Sequence, residues 1–508
     1  MNFFTVQILF LLSLLGLNVA QDEDYFCSKT KPCKVGCCGP LTLGDLGYCG
    51  YGPAYCGQGC TSSCGLKSEC DGGNWGAQWS NASTCPLNVC CSRFGFCGTA
   101  QLFCGDKKVP TPECGGKSSD AKTIGYYEGW NLDKPCGTIT PADIPLGYCT
   151  HINFAFALID PKTFRIAPMD PNTASRYDAV TALKVRQFGL QVWIAIGGWA
   201  MNDPGPMRKS FSDLTKSAAA QNEFFESLIT FMIKHDFDGV DIDWEYPVAD
   251  DRGGVPEDFD NFPIFLERLR NRLNSSGRRF GLSITLPASY WYLRGFDIIK
   301  IEPSVDWFNI MTYDIHGIWD SSIKDLGPYA RAHTNLTEIN AGLELLWRNN
   351  INPGRVNLGL GFYGRSFTMK DPSCMSPGCG FSGPGKAGRC TGTSGVLSGL
   401  EIREIIASGA TVKTDEAAAV KIVTWDTDQW VSWDDEETLK KKVEYVNKRC
   451  LGGTMIWAID LDDGSSIDAL GKGLGRPKAN VTADLSGLPG SDLGTGPLNL
   501  TDQMLREL

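Results

Sequence analysis

Three carboxylates alternate with apolar residues in the stretch "DGVDIDWEYP", which runs from Asp238 to Pro247. They are Asp241, Asp243 and Glu245, at positions i, i+2 and i+4. On a β-strand, side chains two residues apart point to the same face. Stacked like charges repel each other, and the loss of water raises that cost. The stretch carries no Lys or Arg to neutralise them. The pattern therefore indicates that the acids face a cleft, where shifted pKa values are useful. It argues against a purely structural role for them.

Two carboxylates that face a cleft are typical of glycoside hydrolysis. The two carboxyl groups lie about 5–5.5 Å apart in enzymes that retain the anomeric configuration and about 6.5–9.5 Å apart in enzymes that invert it. Neighbours two positions apart on one strand face lie roughly 7 Å apart, given a rise of about 3.3 Å per residue. The spacing alone leaves the mechanism open.

The elements that must position these acids are eight apolar, strand-like runs. They begin at Thr123, Thr150, Leu190, Phe237, Phe280, Trp307, Val356 and Gly453. Helical patterns lie between most of them, at 174–188, 221–235, 262–273 and 337–349. Strands buried on both faces and separated by helices indicate a parallel sheet, and eight such units predict a closed (β/α)8 TIM barrel of the α/β class. The acids then end the fourth strand, where barrel active sites form.

The gap between the seventh and eighth runs is too long for one crossover helix. We therefore expect a small α+β insertion at about 370–433. It carries Cys374, Cys379 and Cys390, a helix near Gly399–Ser408 and the strand-like "AVKIVTW". An insertion at the C-terminal side of a strand would form a wall of the cleft.

The N-terminal region is dense in cysteine, with 15 of the 21 Cys before residue 115. Such density is typical of secreted modules in which disulfides replace a thin core. Two copies of one unit, at 21–66 and 67–118, share a vicinal Cys pair followed by two Cys seven residues apart. A zinc cluster is disfavoured, because the sequence has no C-x-x-C pair and only four His.

The second copy places Phe94, Phe96 and Phe103 near Ser92, in a segment with almost no core to bury them. Exposed aromatic rings beside a hydroxyl form a stacking platform for sugars. The three Phe could equally form the module's own small core, and the residues alone leave both interpretations open. The first copy offers only Tyr48 and Tyr55 as candidates.

Charge and hydropathy limit the partners and the compartment. A net charge of −11 without a basic run argues against nucleic acid and anionic lipid. Residues 1–20 are typical of a secretory signal peptide, with a membrane anchor as the alternative, and no other stretch could cross a membrane. Residues 477–508 are predicted to be a flexible tail. Five N-x-S/T sequons permit glycosylation, at Asn81, Asn274, Asn335, Asn480 and Asn499.

"DGVDIDWEYP" resembles the DxxDxDxE signature of glycoside hydrolase family 18, the chitinases. Three further stretches resemble other strand motifs of that family in the right order. They are "AIGGW" from Ala195, "MTYDIHG" from Met311 and "GGTMIWAIDLDD" from Gly452. The resemblance covers about 119–476, and the paired Cys-rich modules resemble those of secreted fungal chitinases of the killer-toxin-like type. Ala195 departs from the pattern, since many members have a Ser there that could contact Asp241.

The resemblance implies substrate-assisted catalysis, an exception to the rule of two carboxylates. Glu245 would be the general acid, and the acetamido oxygen of the substrate would attack C1. Asp243 would accept the acetamido N–H and share a proton with Asp241, while Tyr313 would donate to the acetamido oxygen. The implied substrate contacts are Tyr126, Phe156, Trp199, Met311, Asp314, Tyr363, Arg365 and Trp457. Each aromatic among them has an alternative role as barrel core.

The Cys spacing of the second copy resembles the hevein-type chitin-binding module, with Ser92, Phe94, Phe96 and Phe103 at that family's binding positions. This resemblance implies the disulfides Cys70–Cys91, Cys85–Cys97 and Cys90–Cys104. For the first copy it implies Cys27–Cys38, Cys33–Cys49, Cys37–Cys56 and Cys60–Cys64. Beyond the modules we expect Cys136 to pair with Cys149 and Cys450 to join the Cys of the insertion, which leaves Cys114 without a partner.

These observations predict a secreted, extracellular or cell-wall-associated chitinase that hydrolyses β-1,4 bonds of chitin with retention, as a monomer. No metal or organic cofactor is implied. The predicted domains are 1–20, 21–66, 67–118, 119–476 and 477–508. One alternative is a chitin-binding lectin that kept the barrel, which Glu245 argues against because such lectins usually replace the acid. The other is an endo-β-N-acetylglucosaminidase that cuts the chitobiose core of N-glycans, for which the modules would be idle.

Overall fold

The computed structural model describes residues 25–42, 44–476 and 478. The predicted signal peptide, nearly all of the predicted tail and the sequons Asn480 and Asn499 lie outside the described residues. The chain divides into two compact units, one with the Cys-rich region up to Pro110 together with Glu344–Asn350, and one with the remainder from Thr111 on. Within the described residues, no helix combines the length and apolarity that a membrane span needs.

Each Cys-rich copy consists of very short elements joined by disulfides. The first contains β1 (Phe26–Cys27), β2 (Cys37–Cys38), β3 (Gly47–Gly50) and the helix Pro53–Cys56. The second contains β4 (Cys90–Cys91), β5 (Cys97–Gly98) and the helix Gln101–Cys104. The seven bridges implied by the hevein resemblance are all present in the structure. Strands this short bury little apolar surface, so the bridges supply much of the stability.

The second unit is a closed barrel of eight parallel strands. The first seven are β6 (Thr123–Glu128), β7 (His151–Ile159), β9 (Gln191–Gly197), β10 (Gly239–Asp243), β11 (Gly281–Pro287), β12 (Trp307–Met311) and β13 (Val356–Gly361), with β8 (Ile166–Pro168) antiparallel to β7. The eighth, β20 (Gly453–Trp457), pairs with β13 and β6, and β6 pairs with β7, which closes the barrel. The predicted (β/α)8 fold is confirmed.

Helices cover the outside of the barrel. They are Pro171–Ala174, Tyr177–Thr181, Ser210–Thr215, Ala218–Lys234, Asp258–Asn274, Tyr290–Leu293, Ile298–Ile301, Leu336–Trp347, Glu436–Lys448 and Ser465–Gly473. Ala218–Lys234 begins where the Ser217 side chain accepts a hydrogen bond from the Ala220 N–H, which satisfies one free donor of the first turn. The helix predicted at 174–188 is instead broken into short pieces.

The insertion after β13 is a separate antiparallel sheet. Its strands are β14 (Tyr363–Met369), β15 (Phe381–Pro384), β16 (Val396–Ser398), β17 (Thr411–Asp415), β18 (Val420–Trp425) and β19 (Gln429–Trp433), with the helix Gly399–Ala407. It begins at Tyr363, earlier than the expected 370, because the chain leaves the barrel after Gly361 and re-enters an extended conformation one residue later. Tyr363 and Arg365 therefore belong to the insertion.

Three long-range predictions about cysteine were wrong. Cys136 pairs with Cys390 of the insertion, and Cys149 is a buried free thiol. Cys136 follows the C-terminal end of β6 whereas Cys149 precedes the N-terminal end of β7, and these two strands are parallel. The two residues therefore lie toward opposite ends of the barrel, and sequence proximity misleads.

Cys450, expected to join the insertion, pairs with Cys114, which was expected to be unpaired. The backbone explains the pairing, because the Cys114 N–H donates to the Lys448 carbonyl at 3.1 Å, at the end of the helix that precedes β20. The two remaining Cys of the insertion, Cys374 and Cys379, pair with each other.

Candidate active site

The three carboxylates lie at the C-terminal end of β10, inside the barrel. Asp241 and Asp243 are on the strand and Glu245 follows it, and their exposed fractions are 0%, 3% and 8%. The apolar residues that alternate with them, Val240 and Ile242, are also fully buried. Burial on both faces explains why the run is apolar apart from its acids.

Asp241 is surrounded by hydrogen-bond donors. The Tyr126 hydroxyl donates to its Oδ2 at 2.5 Å, the Ser283 hydroxyl donates to its Oδ1 at 2.5 Å, and the Asn309 amide donates to Oδ1 at 3.1 Å. Burial raises the pKa of Asp241, and these three donors act to lower it. Asp241 lies beside Ala195 of β9 and beside Ser283 of β11. The hydroxyl that Ala195 lacks therefore comes from the strand on the other side.

Asp243 has fewer donors than Asp241. The Thr285 hydroxyl donates to its Oδ1. Burial raises the pKa of Asp243 well above its usual range, and the carboxylates of Glu245 and Asp241 raise it further. A negative charge on Asp243 is therefore less well supported than one on Asp241, because Asp243 accepts fewer hydrogen bonds and lies beside two other carboxylates.

Glu245 is placed to exchange a proton near neutral pH. Burial raises its pKa to about 7, although the Tyr246 hydroxyl and the Arg252 guanidinium act to lower it. Arg252 also anchors the backbone, because its Nε donates to the Glu245 carbonyl at 3.2 Å. A carboxyl group with a pKa near the working pH is suited to general acid–base catalysis.

Tyr313 lies near the acids with its phenol protonated. Burial raises its pKa well above 10, and the carboxylates of Asp243 and Glu245 raise it further. Its hydroxyl is 3.5 Å from the Met455 sulfur, a weak acceptor. The hydroxyl is therefore available to donate to a stronger acceptor.

Aromatic rings surround Trp457 at the end of β20. The ring centroid of Trp457 is 5.6 Å from that of Phe156 in a stacked pair and 5.5 Å from that of Tyr126. Trp130, which the sequence analysis did not single out, lies 6.0 Å from Phe156 and 6.3 Å from Trp457. Trp130 could have been identified from its position directly after the first strand. Met311 packs against the same cluster.

Trp199 is separate from that cluster and half-exposed, at 50%. The Arg252 guanidinium lies 3.5 Å from the centre of its ring, and Arg252 Nη2 donates to the Trp199 carbonyl at 2.5 Å. The cation supports one face of the indole. A large flat ring with a fixed orientation at the mouth of a barrel is suited to stacking on a sugar.

Asp314 gathers polar partners on the side of the insertion. It accepts hydrogen bonds from the Tyr363 hydroxyl at 2.6 Å and from Arg365 Nε at 2.7 Å. Burial acts to raise the pKa of Asp314, but Arg365 and His333 lower it well below its usual range. Trp319, also not singled out from the sequence, lies 5.0 Å from the Arg365 guanidinium. It follows the "MTYDIHG" motif by two residues.

In the second Cys-rich copy, the four predicted binding residues differ in exposure. Phe94 is 47% exposed and Phe103 is half-buried. Ser92 is buried, and its Oγ accepts a hydrogen bond from the Phe96 N–H at 3.2 Å. Phe96 is half-buried and its ring lies 5.4 Å from that of Tyr51 in an edge-on contact.

Metal-ligating residues are close enough to share an ion at two places in the described part of the chain. These are the groups Cys27, Cys33, Cys49 and Cys70, Cys85, Cys91. All six sulfurs are in disulfides, and a disulfide sulfur has no thiolate to offer a metal.

A (β/α)8 barrel whose fourth strand ends in buried, pKa-shifted carboxyl groups beneath aromatic rings has the architecture of a glycoside hydrolase. The model of the Glycosyl hydrolases family 18 matches residues 122–462, and that of the Chitin recognition protein matches residues 74–114. The chain belongs to glycosyl hydrolase family 18.

Two known proteins have similar sequences over about three quarters of this chain. The chain is 30% identical over 415 residues to the secreted chitinase LysM12 of Penicillium expansum, covering 74% of this chain and 27% of that one. It is 33% identical over 403 residues to the killer toxin subunits alpha/beta of Kluyveromyces lactis, covering 74% of this chain and 33% of that one. The chain thus spans about a third or less of the length of these relatives.

Among solved structures, the crystal structure of the Group II chitinase catalytic domain 2 from Ostrinia furnacalis is similar. The TM-score is 0.63 at 29% sequence identity, and the match covers 70% of this chain and 96% of that domain.

Proposed function

We propose that the protein is a secreted chitinase that hydrolyses β-1,4 bonds between N-acetylglucosamine units with retention of configuration. The observation that carries the proposal is the set of three buried carboxyl groups at the end of β10, Asp241, Asp243 and Glu245. Burial raises the pKa of Glu245 to about 7 and that of Asp243 well above its usual range. The relatives named chitinases and the match to a chitin recognition model support the substrate.

In this mechanism, Glu245 donates its proton to the glycosidic oxygen as the bond to C1 breaks. The acetamido oxygen of the substrate attacks C1 and forms an oxazolinium ion. Asp243 accepts the acetamido N–H, and Tyr313 donates to the acetamido oxygen. Glu245 then removes a proton from water, which attacks C1 and reforms the acetamido group. Two inversions at C1 give overall retention.

The remaining residues are assigned to binding. Trp457 would support the sugar whose bond is cleaved, with Tyr126, Phe156 and Met311 around it. Trp199 would stack on a neighbouring sugar. The Asp314, Tyr363 and Arg365 side chains, already held in one network, would present polar groups to the chain. In the modules, Phe94 and Phe103 would contact chitin, while Ser92 stays an untested prediction.

The compartment and the assembly state are also part of the proposal. Ten disulfides and the name of the Penicillium expansum relative support secretion, to the medium or the cell wall. The barrel supplies all the proposed catalytic groups from one chain, so a monomer suffices. The mechanism uses the acetamido group of the substrate and needs no cofactor.

The test is Glu245→Gln on a soluble N-acetyl-chito-oligosaccharide. The substitution keeps the shape of the side chain and removes its transferable proton, so turnover should fall by about 10²–10⁴ or more while oligosaccharide binding stays nearly unchanged. The matched control is Glu226→Gln, the same change on an exposed side chain of the helix Ala218–Lys234. It should leave turnover unchanged.

Two outcomes would contradict the proposal. Glu245→Gln that retains more than half of the turnover would remove Glu245 from its role, and a wild-type protein that binds the oligosaccharide without hydrolysing it would be a lectin. Early NMR spectra of the products should show the β-anomer, because the two inversions cancel. An α-anomer would exclude the substrate-assisted route.

A further inference from the structure

The two Cys-rich copies have the same local frame. In the register of the first copy's strands, Cys38 lies opposite Cys49 and Cys37 lies opposite Gly50. In the second copy, Cys91 lies opposite Cys97 and Cys90 lies opposite Gly98. The bridges follow the same order in both copies: Cys27–Cys38, Cys33–Cys49 and Cys37–Cys56 against Cys70–Cys91, Cys85–Cys97 and Cys90–Cys104. Residues can therefore be compared position by position.

An aromatic ring lies on a glycine at the same place in each frame. A Cβ added to Gly50 would come within 2.7 Å of the Tyr55 ring, and a Cβ added to Gly98 would come within 2.7 Å of the Phe103 ring. Only glycine permits a ring so close to the strand. The first copy thus holds Tyr55 as the second holds Phe103, although the chitin recognition match at 74–114 covers only the second.

The aromatic residue one position before the fifth Cys of each copy differs between the copies. In the first copy it is Tyr48, which is 43% exposed and lies 5.0 Å from the Phe26 ring. In the second it is Phe96, which is half-buried against Tyr51 of the first copy, 5.4 Å away. Tyr48 presents a supported ring to solvent, whereas Phe96 is engaged by the other copy.

A second contact joins the copies beside Phe96. The Trp75 ring of the second copy lies over Gly52 of the first, so closely that a Cβ on Gly52 would come within 2.7 Å of it. The same ring is 3.1 Å from where a Cβ of Gly95 would lie. Tyr51, Gly52, Trp75 and Phe96 together form what we call the seam. All four belong to one compact unit.

We propose that the two copies form one body with two sugar-binding faces, one from Tyr48 and Tyr55 and the other from Phe94 and Phe103, and that Phe96 serves the seam and not the sugar. The ligand is a chain of β-1,4-linked N-acetylglucosamine, so the substrate class rests on the proposed function. Apolar C–H faces of a sugar stack on such rings, and the two Tyr add hydroxyls that the Phe face lacks. Two faces in one body bind a polymer surface more tightly than either alone.

The test is adsorption of the full chain to crystalline chitin, in a Glu245→Gln background that preserves the solid. The variants are Tyr48→Ala with Tyr55→Ala, Phe94→Ala with Phe103→Ala, and all four together. Each pair should weaken adsorption about tenfold or more, by analogy with aromatic–base stacking, and the quadruple variant should weaken it further than either pair. The quadruple variant also measures what the barrel cleft contributes.

Controls separate binding from folding. Tyr48→Phe with Tyr55→Phe keeps both rings and should bind within a fewfold of the parent. Tyr25→Ala changes another exposed Tyr of the first copy, at 64% exposure, and should have no effect. Thiol titration should show all module bridges intact in every variant.

The seam is tested by Phe96→Leu, which keeps an apolar side chain but removes the ring. It should adsorb like the parent. Adsorption as weak as that of the Phe94→Ala, Phe103→Ala variant would show that Phe96 stacks on the sugar and would overturn its role in the seam.

Adsorption of the Tyr48→Ala, Tyr55→Ala variant equal to that of the parent would overturn the first face. So would a quadruple variant no weaker than the Phe pair. Hydrolysis of a soluble oligosaccharide by the wild type is measured in parallel. A wild type that does not hydrolyse the oligosaccharide would refute the proposed enzyme. A Tyr48→Ala, Tyr55→Ala variant that adsorbs like the parent would refute only this inference.

Discussion

Ser283 supplies a hydroxyl to Asp241 that the neighbouring β9 strand cannot, because β9 has Ala195 at the adjoining position. Ser283 and Asp241 are both fully buried, and their oxygens are 2.5 Å apart. The substitution Ser283→Ala removes one of the three donors to Asp241 and changes little else in volume. It tests whether the acids on β10 act as one set.

The size of the effect follows from the charge on the acceptor. A hydrogen bond to a charged group contributes about 1.5–3 kcal/mol, and one pKa unit corresponds to about 1.36 kcal/mol. Donors to Asp241 lower its pKa, so the loss of one must raise it. Protonation of the Asp241–Asp243 pair should therefore become easier by about 1–2 pKa units.

The pH dependence of kcat/KM on a soluble chito-oligosaccharide measures this shift. In the proposed mechanism the active Asp241–Asp243 pair carries one proton, and a second proton would inactivate it on the acid side. Easier protonation moves the acid limb of the profile to higher pH, by about the same 1–2 units. Melting temperatures of the variants would show whether folding is affected.

The matched control is the double variant Ala195→Ser, Ser283→Ala, which offers Asp241 a hydroxyl from β9 instead of β11. Its acid limb should return toward that of the wild type. An unshifted limb in Ser283→Ala would refute the reasoning about the donors. A shifted limb that Ala195→Ser fails to restore would indicate that Ser283 acts through packing.

Three further predictions concern other groups. Glu245 must carry its proton to act as the acid, and burial raises its pKa to about 7, so kcat should fall tenfold per pH unit above that value; a rate that stays constant well above it would contradict the assignment. Asp314→Asn removes the charge that orients Arg365 and Tyr363, and kcat/KM should fall about 10- to 100-fold; unchanged kinetics would exclude that network from substrate binding. All 21 Cys lie in the described residues, so the unreduced, unfolded chain should titrate as one thiol and the native chain as none, because Cys149 is buried with a pKa raised to about 12; a disulfide-linked peptide of Cys136 and Cys149 would contradict the pairing.

The barrel could be predicted because its strands and helices have distinct periods. Each strand is a short apolar run, and three of the four helical patterns match observed helices within a few residues. The start of the insertion was missed because glycines recur throughout "VNLGLGFYGRSF", so none of them marks the change of sheet. Phe362 alone separates β13 from β14.

The site was only partly visible in the sequence for a related reason. Acids in an apolar strand are conspicuous, whereas Ser283 and Thr285 are small hydroxyl residues that strands commonly contain. Both alternate with apolar residues in "GLSITLP", as the acids do in β10, and that period was their only signal. Disulfide partners outside the modules depend on which loops meet, and Cys136–Cys390 spans 254 residues.

The environment of the acids explains how one strand face can hold three of them. The donors to Asp241 come from β11 beside it and from β6 and β12, which reach Asp241 only because the barrel is closed. Asp243 receives one donor and lies between two carboxylates, so its pKa is raised well above the usual range.

Glu245 follows the strand. Burial raises its pKa to about 7, and the Arg252 guanidinium acts to lower that pKa. An open sheet with the same β10 sequence would leave Tyr126 far from Asp241. The environments of the three acids would then be more alike. Closure of the barrel therefore gives Asp241 the donors that distinguish its environment from that of Asp243.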